Sequence, residues 1–291
     1  MAVYGAIRRA KTLALQSDTK FAELGLSSQT MRAMNQGFGY EYCTPVQESS
    51  IPVAMQGFDV LARARTGTGK TLGFMIPAIE RLNSSGEHRR TGTVAVLVLS
   101  PTRELTAQIA GEAKTICRYH QGLEVSVMMG GTNADKERRQ VGTGGPGPQT
   151  ILVATPGRLE DHLYNTDGFQ ARFTDLRTLV FDEADQMLDM GFRPTIEKIL
   201  LKLPPPATRQ TLLYSATVPT AMQQIAKKAL RPGDQQRFVD CIGDDGGQTA
   251  AKLEQFHVVV PLDSLIQAMW CGALSQNPAQ ACPFSYNYVV I

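Results

Sequence analysis

Ala64-Arg65-Thr66-Gly67-Thr68-Gly69-Lys70-Thr71 follows the apolar run Val60-Leu61-Ala62 and precedes Leu72-Gly73-Phe74-Met75-Ile76-Pro77-Ala78-Ile79. Strand, glycine-rich loop and helix in that order are what a phosphate-binding loop needs. Gly67 and Gly69 let backbone N–H groups close around phosphate oxygens, with Arg65, Thr66 and Thr68 completing the turn. Lys70 reaches the β/γ-phosphates, and the Thr71 hydroxyl suits Mg²⁺. The helix that follows offers its positive N-terminus to the same anion. Ala64 stands where the common pattern has glycine. The stretch implies a nucleoside triphosphate ligand.

Working outward, short apolar runs alternate with helical patterns. Strand-like runs fall at 59–62, 94–99, 123–128, 150–154, 178–181 and 211–215, and helical stretches at 103–118, 158–164, 194–203 and 219–230. Such alternation predicts an α/β fold, a parallel sheet flanked by helices on both faces. Ligands then belong at the carboxyl ends of the strands. Residues 83–92 and 142–148 read as loops from their polar or Gly/Pro content, and Arg89 and Arg90 as solvated loop residues.

The 291-residue chain has an apolar fraction of 43%, enough for a substantial core, which argues against overall disorder. Lys+Arg 29 against Asp+Glu 27 leaves a net charge of +2, so a basic surface must be a local patch. Cys43, Cys117, Cys241, Cys271 and Cys282 form no CxxC pair and no metal-like spacing with histidine. They read as reduced thiols of an intracellular protein. No apolar run approaches the ~18 residues of a membrane span, so no membrane partner is expected. The first seventeen residues carry Arg8, Arg9 and Lys11 without an acid. That is a feature of organellar transit peptides and equally of a short basic helix leading into a domain.

Thr178-Leu179-Val180-Phe181 runs into Asp182-Glu183-Ala184-Asp185. A carboxylate directly after a buried strand, Asp182, can reach Mg²⁺ held at the phosphate loop. Glu183 is placed to orient or deprotonate a water attacking the γ-phosphate, which makes Glu183, Asp182 and Lys70 the catalytic candidates. Asp185 can accept hydrogen bonds from a neighbouring motif.

With Pro101-Thr102-Arg103-Glu104-Leu105, Gly130-Gly131, Thr155-Pro156-Gly157-Arg158 and Ser215-Ala216-Thr217 in the same order, the chain resembles the first RecA-like domain of a DEAD-box ATP-dependent RNA helicase over roughly residues 21–230. The resemblance implies ATP and Mg²⁺ as cofactors. It implies RNA as partner, single-stranded or a short duplex with little sequence preference, bound through Arg103, Glu104, Gly131, Thr155, Gly157 and Arg158. Asp185, Ser215 and Thr217 are expected to couple nucleotide state to strand separation. Seventeen residues separate Phe21 from Gly39, the family's spacing between an aromatic and its GFxxPTxIQ-like segment. This implies Phe21 packing on the adenine and Gln47 bonding its edge, and so ATP over GTP. Cys43 and Val46 depart from the family's usual proline and isoleucine. The strings Asn165-Thr166-Asp167-Gly168-Phe169 and Met190-Gly191-Phe192-Arg193 are similar to the branch of organellar RNA chaperones. A mitochondrion or other organelle is then one expected location, with cytoplasm or nucleus as the others.

The expected organisation is a basic lead-in over 1–20 that can be disordered, an ATP-binding domain over 21–240, and a linker and first strand of a truncated second RecA-like domain over 241–265. Residues 266–291 form an unassigned tail. The exposed apolar strand 256–260 is expected to lack sheet partners. A second such domain normally supplies arginines to the γ-phosphate, worth ~10³–10⁵ in turnover. The expectation is therefore ATP and RNA binding with very slow hydrolysis and no unwinding by this chain alone, unless a second RecA-like domain is supplied in trans. The competing reading is a non-catalytic ATP/RNA-binding module that competes with or docks onto a full-length helicase. A P-loop nucleotide kinase would leave Thr155–Arg158 and Ser215–Thr217 without a role.

Overall fold

The computed structural model describes residues 16–84, 92–131 and 133–242. The expectations for most of the lead-in, for Arg89 and Arg90, for strand 256–260 and for the tail lie outside these residues. The elements in chain order are α1 (Ser28–Arg32, continued by a π-helical turn Ala33–Phe38), α2 (Pro45–Met55), β1 (Asp59–Arg63), α3 (Lys70–Ser84), β2 (Val96–Leu99) and α4 (Arg103–Cys117). There follow β3 (Val125–Met128), α5 (Ala134–Val141), β4 (Ile151–Ala154), α6 (Pro156–Asn165), β5 (Thr178–Phe181) and α7 (Ala184–Asp189). The last are α8 (Arg193–Lys202), β6 (Gln210–Ser215), α9 (Thr220–Ala229) and β7 (Gln236–Asp240).

The strands form one parallel sheet in the order β3-β4-β2-β5-β6-β1-β7. Successive side chains of a strand point to opposite faces, and here each face has its own core. Val96 and Val98 of β2 join Val60, Ile109 and Leu212 on one side. Leu97 and Leu99 join Leu159, Leu179 and Ile225 on the other. Burial on both faces explains why the central strands read as unbroken apolar runs. Helices α2, α3 and α4 cover the first face, and α6, α8 and α9 the second.

Two elements were not foreseen in the sequence. Strand β7 has one buried residue, Val239, and pairs with β1 at the sheet edge, so no apolar alternation announces it. Helix α5 buries only Val141. Its folding rests on polar contacts instead, beginning with the Asn133 side chain, which caps the Lys136 N–H at 3.0 Å. The expected loop at 83–92 begins later than its pattern suggested, since Asn83 and Ser84 still belong to α3. The Gly/Pro-dense segment 142–148 is a loop organised by one side chain. Arg172 donates to the carbonyls of Gly92, Val141, Gly142 and Gly145 at 3.3, 3.3, 2.8 and 2.9 Å.

At the opposite end of the sheet from the phosphate loop, Asp59 is fully buried. It accepts from the Thr211 N–H at 3.0 Å and pairs with Arg231 at 2.7 Å, tying β1, β6 and the turn after α9.

Candidate functional site

The sheet order decides which motifs meet. Strands β5, β6 and β1 are neighbours, so the residues at or just past their carboxyl ends, Asp182, Ser215 and Ala64, lie close together. The Ala64 N–H donates to the Ser215 carbonyl at 2.8 Å, and the Asp182 N–H to Leu99 at 2.9 Å. Loop 64–70 then turns through Gly67 at φ 77° and Gly69 at φ 88°, conformations that favour glycine. At Gly69 the constraint is also steric, because a Cβ would stand 2.5 Å from the Gln47 amide nitrogen. At Gly67 nothing lies within 4 Å of that position.

Lys70 opens α3 and is only 5% exposed. Its Nζ lies 3.6 Å from the Glu183 carboxylate and has no hydrogen-bond partner. Thr44 Oγ1 and Arg65 Nε beside the loop are likewise buried without one. Such atoms are costly to leave unsatisfied, and two of the three are cationic. Thr71, the next residue of α3, is also buried. Burial pushes the Asp182 carboxyl up to about 7, against the pull of Lys70 and with Glu183 adding to the rise. Glu183 is the only non-glycine residue with positive φ among the described residues, at φ 51° and ψ 53°. Strain of this kind costs on the order of 1–3 kcal/mol and clusters at functional positions.

Asp185 Oδ2 accepts from both the N–H and the hydroxyl of Thr217 at 2.9 Å, and the Asp185 N–H donates to Ser215 Oγ at 3.2 Å. Burial pushes the Asp185 carboxyl up, but its contacts with Ser215 and Thr217 outweigh this and hold it below the usual range. Gln47 is buried and bridges. Its oxygen accepts the Thr44 N–H and its Nε2 donates to the Gly69 carbonyl, both at 2.9 Å. One amide N–H of Gln47 is thus committed to the phosphate loop rather than to a base. Phe21 corrects the expectation more strongly. It is 1% exposed and packs in the core with Met34 and Phe74, so no ring face is open to adenine in this conformation.

Strands β2, β4 and β3 are also neighbours, and their carboxyl ends carry the second set of motifs. Thr102 caps α4 by accepting from the Leu105 N–H at 3.2 Å, which sets Arg103 and Glu104, both exposed, in its first turn. Gly131, at φ 87°, makes room for Arg103. A Cβ there would stand 2.6 Å from Arg103 Nη1. The Thr155 N–H donates to Met128 at 3.0 Å, and Thr155 precedes α6 as its N-cap. Gly157 in the first turn has nothing within 4 Å of a Cβ position. Arg158 pairs with Glu137 of α5 at 3.4 Å. Gly130, Thr155, Gly157 and Arg158 share a 430 Å³ cavity with Asp161 and Phe192. Sequence reasoning did not reach Glu137, Asp161 or Phe192 as site residues, because a lone charge on a polar helix and an aromatic in a turn carry no spacing signal. The carboxyl end of the sheet thus presents a glycine-rich loop beside buried charged groups on one half and helix N-termini with arginines on the other.

A model of the DEAD/DEAH box helicase family matches residues 44–225. The chain belongs to that family. Curated relatives include DEAD-box ATP-dependent RNA helicase 25 of Oryza sativa subsp. japonica, 45% identical over 250 residues, which covers 85% of this chain and 41% of the relative. The ATP-dependent RNA helicase has1 of Aspergillus fumigatus is 43% identical over 244 residues, covering 84% of this chain and 37% of that one. Among solved structures, a DEAD box protein from the hyperthermophile Methanococcus jannaschii is 30% identical with a TM-score of 0.63, covering 89% of this chain and 63% of that one. The chain spans less than half the length of these two curated relatives, and its fold is the RecA-like domain expected of the family.

Proposed function

We propose that this chain is the ATP-binding half of an ATP-dependent RNA helicase, in which nucleotide binding and hydrolysis are coupled to RNA binding and local remodelling of duplexes. The observation that carries the proposal is Lys70 Nζ, buried at the end of the glycine-rich loop, without a hydrogen-bond partner, 3.6 Å from Glu183 and near the buried Asp182 carboxyl. That set fits a nucleotide's phosphates together with Mg²⁺, which takes one or two carboxylates or hydroxyls and completes its shell with phosphate oxygens and water. Thr71 and Asp182 would hold the ion. When bound, it neutralises charge between the phosphates.

The chain's own residues then have separable roles. Loop N–H groups and Lys70 bind and orient the γ-phosphate. Glu183, held by its strained backbone against Lys70, accepts a proton from the attacking water. Asp185 reads the same event through Thr217 and Ser215, because Glu183 and Asp185 stand at one helix start. On the other half, the N–H groups opening α6, with Arg103 and Arg158, bind successive backbone phosphates without reading bases. The choice of ATP rests on the family resemblance, in which Gln47 bonds the adenine edge; here its Nε2 donates to the Gly69 carbonyl, which leaves its second N–H for a base. A second RecA-like domain acting in trans is the partner that would complete the γ-phosphate site. An organellar location, by likeness to the RNA-chaperone branch, belongs to the same proposal.

The test is ATP hydrolysis by the purified chain with and without single-stranded RNA, beside a binding titration. ATP binding with turnover near background, rising when a second domain is added, supports the reading. An absence of ATP binding overturns it.

A further inference from the structure

Helix α5 lies against the start of α6 through two crossed ion pairs. Glu137 meets Arg158 at 3.4 Å, and its neighbour Arg138 meets Asp161 at 3.3 Å. The acid-then-base order of α5 is answered by base-then-acid on α6. A further contact lands on the first pair. His162, one turn beyond Arg158 and fully buried, places Nε2 3.0 Å from Glu137 Oε2, the same oxygen that accepts from Arg158 Nη1. The other ring nitrogen, Nδ1, is 2.9 Å from Thr166 Oγ1, and the ring tilts against Phe169 at 5.6 Å between centroids. Thr166, His162, Glu137 and Arg158 therefore form a continuous chain ending at the guanidinium that lines the 430 Å³ cavity.

We propose that Glu137 and His162 are positioning residues for RNA-phosphate binding. His162 fixes Glu137 Oε2, and that oxygen holds Arg158 in the orientation a phosphate needs, an inference that rests on reading Arg158 as a phosphate contact. A free arginine side chain carries substantial rotamer entropy, and ordering it before the ligand arrives strengthens binding. The same chain fixes how α5, and through it Gly130-Gly131, sits against Thr155-Pro156-Gly157. Both bonds converge on one oxygen, so the function needs an acceptor at that point rather than a negative charge. A glutamine can present the same oxygen. Glu137 as a mere charge would weaken phosphate binding, because it neutralises the arginine. The positioning and charge roles thus predict opposite results for the same substitutions.

The experiment measures the affinity of the full 291-residue chain for a fluorescein-labelled single-stranded oligoribonucleotide at fixed salt, in the wild type, Glu137→Ala, Glu137→Gln and His162→Phe. Nucleotide affinity is measured on the same samples. The expected result is roughly fivefold weaker RNA binding for Glu137→Ala, about threefold weaker for His162→Phe, and Glu137→Gln within about twofold of wild type, all with unchanged nucleotide binding. A wild-type affinity in Glu137→Ala, tighter binding in either Glu137 variant, or an equal loss in Glu137→Gln and Glu137→Ala overturns the proposal. The RNA-free protein supplies an independent readout, the resonance of Arg158 Nη1–H, the group that donates to Glu137, assigned by its loss in Arg158→Lys. Its protection from exchange should persist in Glu137→Gln and vanish in Glu137→Ala. If the wild type binds no RNA, the reading of the site fails, and the resonance alone still decides whether Glu137 positions Arg158.

Discussion

At the ends of β1, β5 and β6 the functional groups are buried and tied by backbone. Lys70, Asp182 and Ser215 are almost sealed, and the loop hangs from the Ser215 carbonyl and the Gln47 amide. At the ends of β2, β3 and β4 they are more open. Arg103, Glu104 and Gly157 are exposed, and ion pairs between side chains of α5 and α6 order Arg158 beside them. The two ligands these halves suit explain the difference. A small anion that must be aligned for reaction needs fixed dipoles and excluded water, because there electrostatics are strong. A polymer backbone needs access along a groove and bonds that can slip by one phosphate.

The sharpest way to break the contrast is Lys70→Ala. It removes the buried cation of the sealed half and should weaken Mg·ATP binding by roughly 100-fold, read with a fluorescent ATP analogue, while RNA affinity moves little. A comparable loss of RNA binding would mean that the halves are one site. Next in size is Arg172→Ala, which leaves the four carbonyls it bridges without their donor. A loss of about 3 kcal/mol in urea unfolding is expected, with the β3–β4 side most exposed to hydrogen exchange.

Thr217→Val sharpens the comparison from within the sealed half. It takes one of two Thr217 donors from Asp185 and should cost about 1 kcal/mol at neutral pH. The sign of its pH dependence is fixed, because Asp185 lies below its ordinary value in the folded state. The stabilisation is complete above that ordinary value and fades as pH falls through the folded one. The gap between variant and wild type should therefore close in acid. A constant gap would assign it to packing. The smallest effect belongs to Glu183→Gly, which relieves the left-handed backbone and should raise stability by about 1 kcal/mol or less while abolishing turnover. A lower melting temperature would show that the Glu183 side chain holds the fold as well.

How legible each element was in the sequence follows its burial and the reach of its contacts rather than the half it belongs to. Loop 64–71 and the Asp182–Asp185 segment announced themselves, because glycines and a lysine at fixed spacing after an apolar strand have few other uses. The four fully buried residues of β2, of β4 and of β5 made those strands plain. Helix α5 was invisible for the opposite reason. Its stability comes from Glu137 and Arg138 meeting residues 21 and 23 positions away, and no local period records such pairs. Strand β7 was missed because an edge strand with one buried side chain resembles a loop. Phe21 shows a further limit. Its spacing from Gly39 carries the resemblance, but spacing does not say that the core covers the whole ring, which is 1% exposed.

The central claim, that the carboxyl end of the sheet carries two separable sites, is tested most directly on Gly131→Ala. The added methyl would stand 2.6 Å from Arg103 Nη1 on a backbone at φ 87°, so the guanidinium must shift from its place against Gly131. Measured side by side, RNA affinity should fall roughly tenfold at constant salt with ATP affinity unchanged. If both affinities fall together, or if RNA binding is indifferent to the methyl group, the division of that end into two sites is wrong.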